Sequence, residues 1–151
     1  MGGQSLAFEG DQPVAAGVWK AGILAEATGK TILCVEDEEQ QLRLRKILFE
    51  DAGFQVLVAQ TGNQALELFR LQDVDGVVLD YWMAGMNGLA VAREMKRVRP
   101  GTPIIVVSGF ASLPGETIGL VDAWFQKSKI EPEDLVKEVK SLVRSRQHAS
   151  Q

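Results

Sequence analysis

Glu36 and Asp37 follow the run Thr31–Val35, Asp80 follows Gly76–Leu79, Ser108 follows Ile104–Val107, and Lys127 follows Ala123–Gln126. Each of these short, mostly apolar runs suits a strand buried in a sheet, and each ends in a polar group. Taken singly they are bland, because an Asp in such a place commonly ends a strand or caps the next helix. Together they are three acids, one hydroxyl and one ammonium. Clustered carboxylates repel one another unless a divalent cation is bound. A carboxylate is also a weak nucleophile, which acts on phosphorus mainly through in-line positioning and charge neutralisation.

Convergence of these groups needs a scaffold that brings strand ends to one edge. From Lys30 the chain alternates strand and helix five times. Glu38 to Ala52 reads as a helix with Leu44, Leu48 and Ala52 facing inward, Arg43, Arg45 and Lys46 outward, and Gly53 as its stop. Gln55 to Ala59 is the second strand. Thr61 opens the next helix, with Gln64 three residues on as a capping box and Ala65 and Phe69 on the buried side. Gly76–Leu79 is the third strand, and the loop after Asp80 carries the Asn87-Gly88 turn pair. Leu89, Ala92, Met95 and Val98 mark the third helix, which Pro100-Gly101 ends. A short segment after Pro114 can be helical. The last helix opens at Pro132 with Glu133 and Asp134, buries Leu135, Val139 and Leu142, and carries Arg144 and Arg146 at its negative end. This alternation predicts an α/β fold with a doubly wound, five-stranded parallel sheet, helices on both faces and all strand C-termini on one edge.

The 151 residues fit one domain with room for a substantial core. A formal charge of −4, with Lys and Arg spread over several helices, leaves no electrostatic footprint for nucleic acid. The single cysteine, Cys34, excludes an internal disulfide and a multi-cysteine metal site, and reads as a buried structural thiol. No run approaches the ~18 apolar residues of a spanning helix. The N-terminus lacks the basic start of a secretory signal, so a cytoplasmic location without membrane insertion is expected. Residues 1–29 read as an irregular, glycine-rich extension, 30–146 as the domain, and 147–151 as a polar tail in which His148 is solvated.

The constellation resembles the receiver domain of two-component response regulators (the CheY-like superfamily) over about residues 30 to 146. The motifs are V-E-D-E at 35–38, L-D-Y-W-M-A-G-M-N-G at 79–88, I-I-V-V-S-G at 104–109 and W-F-Q-K at 124–127. The resemblance implies the flavodoxin-like strand order 2-1-3-4-5 and makes Asp80 the phosphoacceptor. Glu36 and Asp37 hold Mg²⁺, joined by Asp80 and the backbone carbonyl of Trp82. Ser108 and Lys127 contact the phosphoryl group, Ser108 and Trp124 act as the switch, and Trp82 and Phe110 flank the approach of water. The implied donor is a histidine kinase or phosphotransfer protein, and the output goes to a downstream protein partner. No enzymatic activity is implied beyond the Mg²⁺-dependent gain and loss of the chain's own phosphoryl group. No DNA-binding module follows residue 146, so direct DNA binding is not expected; a homodimer is one assembly the resemblance allows. All-oxygen ligands facing a phosphate do suit Mg²⁺, and Lys127 offers a compact positive charge to a phosphoryl oxygen.

Four features depart from the family pattern. Ala84 stands where proline is usual, which loosens the loop after Asp80. Ser128 stands where a cis-proline is usual. A non-proline cis bond costs about 2.5–4 kcal/mol, so a trans bond and a shifted Lys127 are expected. Trp124 replaces the usual tyrosine or phenylalanine. Ser108 and Lys127 are only nineteen residues apart, which shortens the fourth helix and the dimer face built on it. These departures keep a second reading open, a degenerate receiver that docks partners without phosphorylation. A third, an aspartyl-phosphate hydrolase, lacks its second acid, because Trp82 stands two residues after Asp80.

Overall fold

A computed structural model of the chain describes residues 28–83, 86–109, 115–117 and 119–149. The elements are β1 (Thr31–Val35), α1 (Glu39–Asp51), β2 (Gln55–Ala59), α2 (Gly62–Leu71), β3 (Gly76–Asp80), α3 (Gly88–Val98), β4 (Ile104–Ser108), β5 (Ala123–Gln126) and α4 (Pro132–Ala149). Among the described residues these strands form one parallel sheet in the order β2-β1-β3-β4-β5, the expected 2-1-3-4-5. Every residue of β3 and β4 is buried, as central strands covered on both faces must be.

Successive strand side chains leave the sheet on opposite faces, so one sequence run feeds two cores. Leu33, Val35, Val77, Leu79 and Val106 pack with Ala65, Phe69, Ala92 and Met95 under α2 and α3. Ile32, Cys34, Val78, Ile105 and Val107 pack with Leu42, Phe49, Leu135, Val139 and Val143 under α1 and α4. The helix starts are fixed locally. Thr61 Oγ1 accepts from the Gln64 N–H at 3.1 Å, and Gln64 Oε1 reaches back to the Gln60 N–H at 2.9 Å. Asn87 Oδ1 caps α3 by accepting from the Ala90 N–H at 3.0 Å.

Two expectations need correction. The buried stripe of α1 is Leu42 and Phe49, whereas Leu44 is 59% exposed. Arg45 lies on that buried side, with its side chain 10% exposed, and only Arg43 and Lys46 of the three cations face outward. The last helix runs to Ala149, so most of the polar tail is helical, with no proline or glycine to stop it. After β4 the described residues include one 3₁₀ turn, Gly115–Thr117. Residues 1–27, Ala84, Phe110, Pro114 and the His148 side chain lie outside the described residues. Among the described residues no helix is long and apolar enough to cross a membrane.

Candidate functional site

Strand register alone assembles the site. Val35 is paired with Leu79, so Glu36 and Asp80 leave neighbouring strands side by side. Asp80 is paired with Val107, which puts Ser108 one residue further along β4. Ser108 is paired with Gln126, so Lys127 follows at the same edge, and its N–H donates to the Ser108 carbonyl at 2.7 Å. Asp122 fixes where β5 begins. Its Oδ2 accepts from the Ile104 N–H at 2.7 Å and from Lys96 Nζ at 2.8 Å.

One carboxylate oxygen from each of Glu36, Asp37 and Asp80 lies within 4.8 Å of the others. Glu36 is 1% and Asp80 5% exposed, while Asp37 faces solvent. The Lys127 ammonium donates to both buried acids, at 3.1 Å to Glu36 Oε1 and 3.2 Å to Asp80 Oδ2. Glu36 Oε2 accepts from the Glu38 N–H at 3.3 Å. Burial first, then the hydrogen bond and charge of Glu36, push Asp80 up to about 6 against the pull of Lys127. Burial penalises the Lys127 ammonium, but the Asp80 and Glu36 carboxylates outweigh it and raise its pKa above the lysine range. The cluster therefore has more negative charge than one ammonium can balance. Its donors are all oxygen, which fits a hard divalent cation of the Mg²⁺ kind.

Glu36, Asp37, Asp80 and Lys127 thus come together, and Ser108 ends the adjoining strand fully buried. The Lys127–Ser128 bond is trans, since no cis bond occurs among the described residues. The shift expected of Lys127 does not take it off the acids. Trp82 is 53% exposed and belongs to a two-residue antiparallel ladder, Trp82–Met83 with Met86–Asn87, that folds the loop back after Asp80. Its ring meets the buried Tyr81 edge to face at 5.3 Å. Trp124 is 37% exposed on β5, whose alternate residues Ala123 and Phe125 pack under α1 and α4. Phe110 lies outside the described residues. Sequence reasoning missed Arg45, whose Nη1 lies 3.7 Å from Glu36 Oε1.

The description "Response regulator receiver domain" matches residues 32–126. The autoinducer 1 sensor kinase/phosphatase LuxN of Vibrio harveyi is 35% identical over 79 residues, 52% of this chain and 9% of LuxN. The transcriptional regulatory protein ZraR of Escherichia coli K12 is 34% identical over 82 residues, 54% of this chain and 19% of ZraR. The match therefore spans a small part of each of these relatives. Among solved structures, a CheY-like receiver domain protein from Methanospirillum hungatei JF-1 overlays with a TM-score of 0.75 at 26% identity, covering 80% of this chain and 98% of that one. The response regulator protein TrrA of Thermotoga maritima, solved in complex with Mg²⁺-BeF, overlays at 0.70 with 29% identity, covering 75% and 98%. Family match, fold and strand-edge acids agree: this chain belongs to the response regulator receiver domain family.

Proposed function

We propose that Asp80 accepts a phosphoryl group from the phosphohistidine of a kinase or phosphotransfer protein, and that the changed charge at the strand edge is read by a downstream protein. The transfer forms an Asp80 Oδ–P bond and breaks the donor's N–P bond, whose electron pair returns to that nitrogen, so the imidazole, already protonated on its other nitrogen, leaves neutral. One observation carries the reading. Lys127 bridges Asp80 and Glu36 within hydrogen-bond distance, with Asp37 in the same cluster.

The residues divide the work. Glu36, Asp37 and Asp80, with the main-chain carbonyl of Trp82, would hold Mg²⁺, which when bound neutralises charge on the phosphoryl oxygens. Lys127 follows the new negative charge on Asp80 with a compact ammonium. Ser108, buried at the end of β4, offers a hydroxyl to a phosphoryl oxygen and so ties the loop after β4 to the state of Asp80. Trp124, two residues before Gln126, responds to that loop from β5. The likeness to TrrA, a regulator captured with Mg²⁺ and a beryllium fluoride, supports the metal and phosphoryl assignments.

The test is incubation with acetyl phosphate and Mg²⁺, read by intact mass. One phosphoryl adduct is expected on the wild type and none on Asp80→Asn, whose amide cannot attack phosphorus. An adduct that persists in Asp80→Asn moves the acceptor elsewhere. No adduct on either protein returns the chain to a docking module.

A further inference from the structure

Arg45 stands where the helix pattern calls for a hydrocarbon. Leu42 and Phe49, three residues before it and four after, carry the buried stripe of α1, and the Arg45 side chain is only 10% exposed. Its Nη1 is buried and makes no hydrogen bond. A guanidinium in that position is unfavourable unless an opposite charge compensates it. The carboxylate available is Glu36, 1% exposed, whose Oε1 lies 3.7 Å from Nη1. The same Oε1 accepts the hydrogen bond of Lys127 at 3.1 Å. Two cations therefore converge on one buried oxygen, and of the two Lys127 is within hydrogen-bond distance.

The two cations differ in what holds them. Lys127 is shared between Glu36 and Asp80 on a flexible stem and is 35% exposed. Arg45 approaches along α1 beside the groove that Leu44 and Leu48 line, with its side chain 10% exposed and its Nη1 buried.

We propose that Arg45 is a positioning residue for the acid cluster, a fixed counter-cation of Glu36 that restrains the cluster's affinity for a divalent cation. Resting on the reading of Glu36, Asp37 and Asp80 as metal ligands, it adds a residue outside the strand-end motifs. Arg45 subtracts one charge from the cluster in every state. Its effect on the metal is that of one positive charge held beside Glu36. When Lys127 is drawn toward a group on Asp80, Nη1 needs to move about 0.8 Å to reach an ordinary hydrogen-bond distance from Oε1.

The experiment titrates Mg²⁺ into the full chain, with binding read by tryptophan fluorescence and calorimetry, in wild type, Arg45→Met and Arg45→Lys. Methionine keeps the apolar stem and removes the charge. Arg45→Met should bind Mg²⁺ about three- to tenfold more tightly than wild type, the effect of one unit charge at a partly solvated site. The gap should narrow at about 1 M salt. Arg45→Lys should return the affinity toward that of wild type. A role in packing alone predicts the opposite sign, since a loosened α1 weakens the site. If Arg45→Met does not fold, Arg45→Gln gives the same comparison. Unchanged or weakened Mg²⁺ binding in a folded neutral variant overturns the inference and leaves the acid-cluster reading standing. A wild-type chain that binds no Mg²⁺ overturns both.

Discussion

A methyl group on Gly88 would lie 2.6 Å from the main-chain carbonyl oxygen of Asp80. It would also come within 2.9 Å of Tyr81 Cα, and the Gly88 N–H donates to the Tyr81 carbonyl. The first residue of α3 thus rests directly on the backbone that aims Asp80. Side chains cannot give way there, because the obstacle is main chain. Gly88→Ala should therefore destabilise the fold by about 1–3 kcal/mol, the usual cost of overpacking. It should also weaken Mg²⁺ binding, because relief of the clash moves Asp80. Urea unfolding and a Mg²⁺ titration check this, and a wild-type unfolding midpoint would show that the approach is looser than the geometry states.

Mg²⁺ should stabilise the unphosphorylated chain. Three carboxylates share a space that Lys127 balances incompletely, so a ligand that binds the folded cluster shifts unfolding by mass action. At a free concentration of about 100 times Kd the gain is about 2.7 kcal/mol, which raises Tm by several degrees. Asp37→Ala should remove most of that rise. Asp37 is the exposed member of the cluster, so its loss leaves the core intact and isolates the metal effect. An equal Mg²⁺ response in the variant would place the ion elsewhere.

Cys34 should be inert while the protein is folded. It is fully buried on β1, and burial pushes its thiol up to about 12, with the Arg45 charge pulling weakly the other way. At about pH 8 the folded chain should not react with a thiol reagent, whereas urea-unfolded chain should react at once. The sign for stability follows. Unfolded Cys releases its proton near pH 8.5, roughly, and the folded chain holds it much longer. The stabilising contribution is complete below that pH and is lost as pH rises toward about 12. Comparison of unfolding midpoints at about pH 8 and about pH 10 should show a steeper fall in wild type than in Cys34→Ala. Parallel falls would mean that the thiol ionises alike in both states.

The strand ends were legible because each run stops at a polar residue, and parallel register needs nothing more to bring Glu36, Asp80, Ser108 and Lys127 to one edge. The face of α1 was not. Leu42, Leu44, Ile47, Leu48 and Phe49 surround the helix, so the spacing Leu44–Leu48–Ala52 and the spacing Leu42–Phe49 are equally regular. Packing against β1 and α4 decides between them, and that lies far away in sequence. Leu44 and Leu48 line a groove of about 640 Å³ with Ile130, Pro132 and Leu135, beside Lys127 and Ser128. Arg45 was misplaced for the same reason, since an arginine reads as solvated until its helix face is known. The length of α4 was missed because Ser145, Gln147 and His148 carry no helix stop.

Trp82 bears on how long a phosphoryl group would survive on Asp80. Hydrolysis needs a water in line with the P–O bond, held by a polar atom within hydrogen-bond reach. The side chain two residues after Asp80 is an indole, which offers bulk and a single N–H. Its ring meets Tyr81 edge to face at 5.3 Å, and Tyr81 is buried at 6% exposure. Loss of phosphate should therefore be slow, and Trp82→Asn, which replaces a shield with an amide able to orient water, should speed it several-fold. Following decay of the acetyl-phosphate adduct by intact mass in both proteins gives the rate directly. Trp82 is also 53% exposed, so a partner surface is the competing use of the ring. If Trp82→Asn decays at the wild-type rate, shielding is wrong and the indole belongs to an interface.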